Sequence, residues 1–251
     1  MKVCLVADVH ANLPALLAVL EHAKEQSALE QILNLGDFLG YGAFPDEVVL
    51  LLHSLNAISV IGNYDRKVLS KKMRHNGWEK VKTPDKRLAF RWAYEQLSKK
   101  SRRLLKALPE TRRLSLGGVA MLLTHGSPAA IDEHLSPLTP KKRMAELGKL
   151  AGTDVVLCAH SHQAFVRKVG DVLFINPGSV GRPDDGDPRA SYAILEIKDG
   201  KVKVHLYRVD YEVEKEARAI RLAALPEAFA QMCLLGKNYN AVLGAKRRQD
   251  D

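Results

Sequence analysis

The strongest constraint on this chain is a recurring pattern: short apolar runs that stop abruptly on one or two polar residues. KVCLVAD runs into Asp8, QILNLGD into Asp37, AISVIGN into Asn63, VAMLLTH into His125, DVVLCAH into His160, and DVLFINPGS through Asn176. Runs this short and this rich in Val, Ile and Leu read as strands buried in a sheet. Helical patterns separate several of them. Over residues 13–25 Leu16, Leu17 and Leu20 share one face, and over 46–55 Val49, Leu52 and Leu55 repeat similarly. Strand–helix–strand alternation predicts an α/β architecture with mostly parallel pairing in the first half. The second half predicts strands over 119–124, 154–159, 165–169, 172–176, 190–197 and 202–208, joined by short turns such as Asp199-Gly200. Two sheets sharing one core is the economical arrangement.

With 251 residues the chain has ample length to bury such a core. No apolar run approaches the roughly 18 residues of a membrane span. The opening MKVCLVADVHANL breaks its apolar run with Asp8 and His10 and lacks a small-residue cleavage site, so it reads as a first strand and not as a signal peptide. Three cysteines without CxxC spacing exclude a disulfide framework and a thiolate zinc site. The expectation is a single domain over residues 1–251, without a membrane segment and cytoplasmic.

The net charge of +9 is unevenly spread. Residues 66–113 hold 17 Lys and Arg against four acids, a local excess of +13 that leaves the remainder at −4. That excess suits an anionic substrate, a nucleic acid or an acidic partner, and equally a solvated helical face. Its apolar residues have helical spacing: Leu88 with Trp92, and Ala89 with Ala93 and Leu97, lie at i, i+4. A basic helical insertion over about 66–108 is therefore expected, with a helical extension over about 211–251. Trp78, Phe90, Trp92 and Tyr94 are few aromatics for a stacking surface, and periodicity partly assigns them to packing, so nucleic acid is not the favoured partner. A homo-oligomer is left open.

In open α/β sheets ligands gather beyond the carboxyl ends of the strands. Here that position holds Asp8, His10, Asp37, Asn63, His125, His160 and His162. Singly, each has a plain explanation as a turn former, a helix cap or a polar edge residue. Together they are a donor set. Four of the nine histidines fall at the ends of strand-like runs, and His160 and His162 at i, i+2 point the same way on extended backbone. Four imidazoles, two carboxylates and an amide suit Mn, Fe, Zn, Ni or Co and are too rich in nitrogen for Ca or Mg. Seven donors exceed one tetrahedral ion but fit two ions sharing a carboxylate, the arrangement that clamps attacking and leaving oxygens in phosphoryl displacement.

VADVHANL, LGDFLGYGAFPDEV, IGNYD, THGSP, CAHSHQAF and NPGSVGRP resemble, in order, the signature of the calcineurin-like metallophosphoesterases, and the last is similar to the YfcE-type branch. The likeness covers about residues 1–207. It implies a four-layer α/β/β/α sandwich of two mixed sheets. It also implies that Asp8, His10 and His162 hold one ion and Asn63, His125 and His160 a second, with Asp37 bridging. The activity implied is hydrolysis of phosphodiesters, or of nucleotide phosphoanhydrides, by a metal-bridging hydroxide, with two divalent ions per chain and manganese ahead of Fe, Zn, Ni or Co. A broad phosphomonoesterase or protein phosphatase, and a non-catalytic scaffold on the same fold, are the alternatives. Asp37, Asn63 and Tyr64 are the catalytic candidates, and Arg182 and Asn63 the candidate contacts to an anionic phosphoester or nucleotide. One position departs from the family pattern: Tyr64 stands where many relatives carry a His that is proposed to protonate the leaving group. A phenol near pKa 10 is a poor acid at neutral pH. Asp184, Asp185 and Asp187 are expected to order their loop, while His22, His53, His75, His134 and His205 receive no role.

Overall fold

The computed structural model describes residues 1–70 and 83–247. Its first strand, β1 (Lys2–Val6), explains the apolar run that contains it. Val3, Leu5 and Ala7 enter the core between two sheets, whereas Cys4 and Val6 enter the core beneath the helices. Both faces are buried, so the sequence does not alternate. Asn12 then caps α1 (Leu13–Glu25), its side chain accepting from the Ala15 amide at 3.1 Å, with Pro14 in the first turn where no amide is needed. The helix turns Leu16, Val19 and Leu20 onto the sheet. It leads to β2 (Gln31–Asn34), and α2 (Pro45–Ser54) leads in turn to β3 (Ile58–Ser59). Each crossover returns the chain parallel to the strand before it.

A helical stretch follows: α3 (Asn63–Leu69), α4 (Pro84–Gln96) and α5 (Lys99–Lys106). The expected insertion over 66–108 therefore falls partly on residues 71–82, outside the described residues. In α4 Ala89, Phe90 and Ala93 turn inward with Leu97 beyond them, but Leu88, expected on that face, is 41% exposed. The second sheet is built from β4 (Thr111–Leu116), β5 (Val119–Thr124), β6 (Val155–Leu157), β7 (Phe165–Val169) and β8 (Val172–Asn176), with α6 (Lys141–Ala151) between β5 and β6. β4 was not expected from the sequence. It is an edge strand carrying exposed Arg112 and Arg113, whose charges hide the strand signal and blunt the open edge.

The last strands, β9 (Ala190–Lys198) and β10 (Lys201–Val209), do not join the second sheet; β9 returns to pair antiparallel with β1. The orders are β10-β9-β1-β2-β3 and β4-β5-β6-β8-β7, two mixed five-stranded sheets as expected. Between them pack Leu5, Leu33 and Leu195 from one sheet and Met121, Leu157 and Ile175 from the other. Each such side chain contributes about 1.5–3 kcal/mol by leaving water. Helix α6 covers the outer face of the second sheet through Met144 and Leu147, completing four layers. The chain ends, as described, in α7 (Val213–Leu222), α8 (Glu227–Leu235) and α9 (Tyr239–Arg247). No helix among the described residues is long and apolar enough to cross a membrane.

Candidate metal centre

The loops leaving β1 and β2 run side by side past the sheet edge, the His10 amide donating to the Asp37 carbonyl (3.0 Å) and the Ala11 amide to that of Phe38 (2.7 Å). Asp8, His10, Asp37, His160 and His162 all sit at positive φ, between 50° and 66°. Such backbone is costly for residues other than glycine, and its concentration in one place marks a built site. Gly62, before α3, approaches Asp37 so closely that an added Cβ would lie 2.1 Å from Asp37 N. Asp65 ties the same loops together, its carboxylate accepting from the amides of Gly62 (2.9 Å) and Leu39 (3.1 Å).

Both site carboxylates are held by one oxygen and offer the other. Asp8 Oδ2 accepts from the His160 amide at 3.1 Å, and Asp37 Oδ1 accepts from the Tyr64 amide at 2.7 Å. The opposite oxygen, Asp8 Oδ1, lies 3.5 Å from His162 Nε2, 3.8 Å from His10 Nε2 and 4.0 Å from His125 Nε2. Asp37 Oδ2 lies 3.4 Å from His125 Nε2 and 3.9 Å from His10 Nε2. Two overlapping triads of metal-competent atoms result, Asp8–His10–His162 and Asp8–Asp37–His125, all buried. Asn63 joins through Oδ1, 3.2 Å from His125 Nε2. The His160 ring belongs to neither triad; it stands edge-on to His125, centroids 5.2 Å apart.

The outward nitrogens decide what this cluster can hold. Nδ1 of His10, His125 and His162 lies 3.0, 2.8 and 2.6 Å from the carbonyls of Leu39, Leu35 and Arg182. A carbonyl only accepts, so each Nδ1 carries hydrogen and each Nε2 points inward, its lone pair open to a cation when the ring is neutral. His10 Nε2 and His162 Nε2 then face each other at 3.2 Å, beside Asp8 Oδ1, which is buried without a hydrogen-bond partner. Acceptors gathered on an unpartnered carboxylate oxygen fit a cation, and the mixed N/O set fits a divalent transition metal.

The electrostatics follow from burial and proximity. Burial, with the Arg182 guanidinium nearby, pushes the His10 imidazole down to about 3. Burial, then the neighbouring His125, lowers His160 to about 4. His125 is also buried, but Asp37 and Asp8 beside it override that and raise it to about 9. Burial alone would raise the Asp8 carboxyl, yet His162, His125 and His10 hold it well below the usual range.

Around the cluster the walls are aromatic. Tyr41 and Tyr64 both stand edge-on to the His10 ring, and their hydroxyls are 2.6 Å apart. The Arg182 guanidinium lies 5.1 Å over the Tyr41 ring and 3.1 Å from His162 Nε2. A narrow crevice has His10, Tyr41 and Arg182 on one side and Phe229, Met232 and Cys233 of α8 on the other. The terminal helices thus form one wall, and they grip the site loops: Tyr211 OH accepts from Asn12 (3.1 Å), and Glu216 Oε1 accepts from the Ala43 amide (3.0 Å). Tyr41 is flanked by two glycines, the one local sign of its special loop; nothing in the sequence near Glu216 announces its contact. Asp185 and Asp187 pair with Arg208 and Arg189 and order their loop. Of the unassigned histidines, His22 meets Tyr192 OH (2.6 Å), His205 meets Glu196 (3.3 Å), and His134 stands against His160.

Glu216 gives a stability prediction. Burial pushes its carboxyl from 4.5 up to about 8, and its Oε2 is buried without a partner. The unfolded chain releases this proton near pH 4.5 and the folded chain near pH 8, so the stability associated with it is present at low pH and lost as pH rises between those values. Glu216→Gln keeps the acceptor for Ala43 and removes the titration. Thermal melts of metal-free protein should show the variant about 5–10 °C above the parent at pH 8, with the gap closing toward pH 4.5. A gap that does not change with pH refutes this.

Residues 1–200 match the model of the calcineurin-like phosphoesterase superfamily domain, and the chain belongs to that superfamily. It is 32% identical over 252 residues to an uncharacterised protein of Methanocaldococcus jannaschii, covering 94% of this chain and 98% of that one. Among solved structures, a metallophosphoesterase from Sphaerobacter thermophilus shares 32% identity with a TM-score of 0.75, over 94% of this chain and all of the other. A hypothetical protein from Pyrococcus horikoshii has the same fold at 22% identity, with a TM-score of 0.83 over 94% of this chain and 98% of its own. The buried Asp/His cluster is a metal site of the kind this family carries.

Proposed function

We propose that the protein holds two divalent transition-metal ions and hydrolyses phosphodiesters or nucleotide phosphoanhydrides, with manganese the preferred ion. The observation that carries this reading is the convergence of inward-facing Nε2 atoms on the unpartnered Asp8 Oδ1. Asp8, His10 and His162 would hold one ion, and Asn63, His125 and His160 the other. Asp37 would serve both, since its Oδ2 lies 3.9 Å from His10 Nε2 and 3.4 Å from His125 Nε2. When bound, such ions would supply activation of water at neutral pH and neutralisation of charge on the phosphoryl oxygens. The protein's part is to fix the donors: backbone carbonyls orient the imidazoles, and backbone amides hold the carboxylates. Arg182 offers its guanidinium to the anion, since its Nε is buried without a partner. The domain runs over residues 1–251, with the basic helical segment around 66–108 and the helices of 211–251 as additions to it. The NPGSVGRP motif, which supplies Arg182, supports reading the chain as akin to the YfcE-type branch.

Tyr64 is poorly suited to protonate a leaving group. Its hydroxyl is engaged with Tyr41, and burial, then Tyr41, holds its pKa well above 10. Substrates with acidic leaving groups are therefore favoured. The test is a series of aryl phosphodiesters graded by leaving-group pKa, assayed with Mn2+-reconstituted protein. Rates should fall steeply as that pKa rises, unchanged in slope by Tyr64→Phe and flattened by Tyr64→His, which supplies a donor near pKa 6.5. Absence of hydrolysis across the series refutes the function, and a flat series in the parent refutes the account of Tyr64.

A further inference from the structure

One side chain at the mouth of the cluster has no place in the family signature. Asp8, His10, Asp37, Asn63, His125 and His162 are each at most 5% exposed, whereas His160 is partly open to solvent. Tyr41, Tyr64 and α8 wall the other side, which leaves His160 the most accessible of the candidate donors. There the exposed ring of His134 stands edge-on to His160, with centroids 6.3 Å apart at 74°.

The loop that presents His134 is fixed on both sides of it. Glu133, the preceding residue, takes two bonds from Arg143 (2.7 Å from Nε and 3.0 Å from Nη2) and one from the Ser127 hydroxyl. The Ser127 oxygen also accepts from the amides of Ala129 (3.0 Å) and Ala130 (3.1 Å), and the Ser127 carbonyl accepts from Thr124. Leu135, the following residue, is fully buried in the core under α6. A loop ordered by a bidentate ion pair and a buried leucine thus holds an exposed imidazole against the most accessible candidate ligand. Preorganisation of this kind lowers the cost of binding a polar group.

We propose that His134 is a substrate-binding residue, donating a hydrogen bond to a phosphoryl oxygen of the ester as it enters beside His160. The proposal rests on the phosphoesterase reading above and adds the residue that meets the substrate at the entrance. It differs from a packing role, in which the His134 ring merely supports His160. A packing role needs a ring, whereas substrate binding needs a donor.

The experiment uses the full chain loaded with Mn2+ and compares the parent with His134→Phe, His134→Gln and His134→Ala. Three readouts are taken: KM and kcat on an aryl phosphodiester, the Kd of inorganic phosphate by calorimetry, and metal content by elemental analysis. Loss of one charge-assisted hydrogen bond should raise KM and the phosphate Kd by about 5–30-fold in the Ala and Phe variants. Their kcat should change little and their metal content not at all, while Gln recovers much of the loss. A Phe variant that binds like the parent, or metal loss that tracks the binding defect, assigns His134 to packing and overturns the proposal. Parent protein that retains metal and binds phosphate, beside three indifferent variants, overturns this proposal alone. Parent protein that does neither overturns the phosphoesterase reading and the proposal together.

Discussion

Asp37→Asn is expected to lower turnover by roughly a thousandfold or more, with the fold retained. The substitution is nearly isosteric, and the amide oxygen can still accept from the Tyr64 amide that fixes this side chain at 2.7 Å. What is lost is the negative charge at Oδ2, which lies between His10 and His125 and is proposed to join the two ions. Steady-state rates on an activated diester, with circular dichroism to verify folding, provide the measurement. Burial opposes the Asp37 charge, but His125 and His10 outweigh it and hold the carboxyl below its usual range, so the metal-free variant should be less stable than the metal-free parent. Parental turnover in this variant would place the chemistry elsewhere.

Loading with Mn2+ should raise the melting temperature by about 8–16 °C when the free ion stands about a thousandfold above its Kd. That range follows from about 4 kcal/mol of binding linkage and a shift of about 2–4 °C per kcal/mol for a chain of this size. The physical source is the buried acceptor cluster: Asp8 Oδ1 without a partner, and His10 Nε2 opposite His162 Nε2 at 3.2 Å. Folding must assemble these groups in any case, and a bound cation would offset the cost of doing so. Scanning calorimetry in chelator and in Mn2+, with elemental analysis of the loaded protein, tests both parts. Two ions per chain are expected; one ion or none, or an unchanged melting temperature, contradicts the two-ion reading.

The first half of the fold is legible in the sequence because its signals are local. Asn12, Pro14 and the Leu16–Leu20 face define α1, and β1 shows itself as an apolar run that stops at Asp8. The donor residues are legible because strand ends are where open sheets place ligands, and the structure brings Asp8, His10, Asp37, Asn63, His125 and His162 within a few ångströms. Three other features are not local. In β4 only Leu114 and Leu116 are half-buried, and the adjacent Arg112 and Arg113 before them hide the strand signal. Glu216 acts on Ala43 across 173 positions, and only folding brings them together. His134 lies nine residues beyond His125 in a loop whose shape depends on Arg143, a residue of the following helix. Leu88 shows the converse error: helical spacing was present, but α4 presents Ala89, Phe90 and Ala93 to the core instead.

The position of β1 has a consequence for the order in which the molecule forms. Its parallel neighbour β2 begins some twenty-five residues later, but its antiparallel neighbour β9 is separated from it by most of the chain. During synthesis from the amino end, β1 therefore waits with one hydrogen-bonding edge open until residues 190–198 have emerged. Asp8 waits with it, because its carbonyl is met by the Gly181 amide and the Ser179 hydroxyl, and its carboxylate by the His160 amide. Pairings this distant in sequence close slowly, and a lone strand edge is the kind of surface on which chains aggregate. Asp8 is thus made about 150–175 residues before the groups that complete its surroundings, which confines chemistry at this centre to the finished fold.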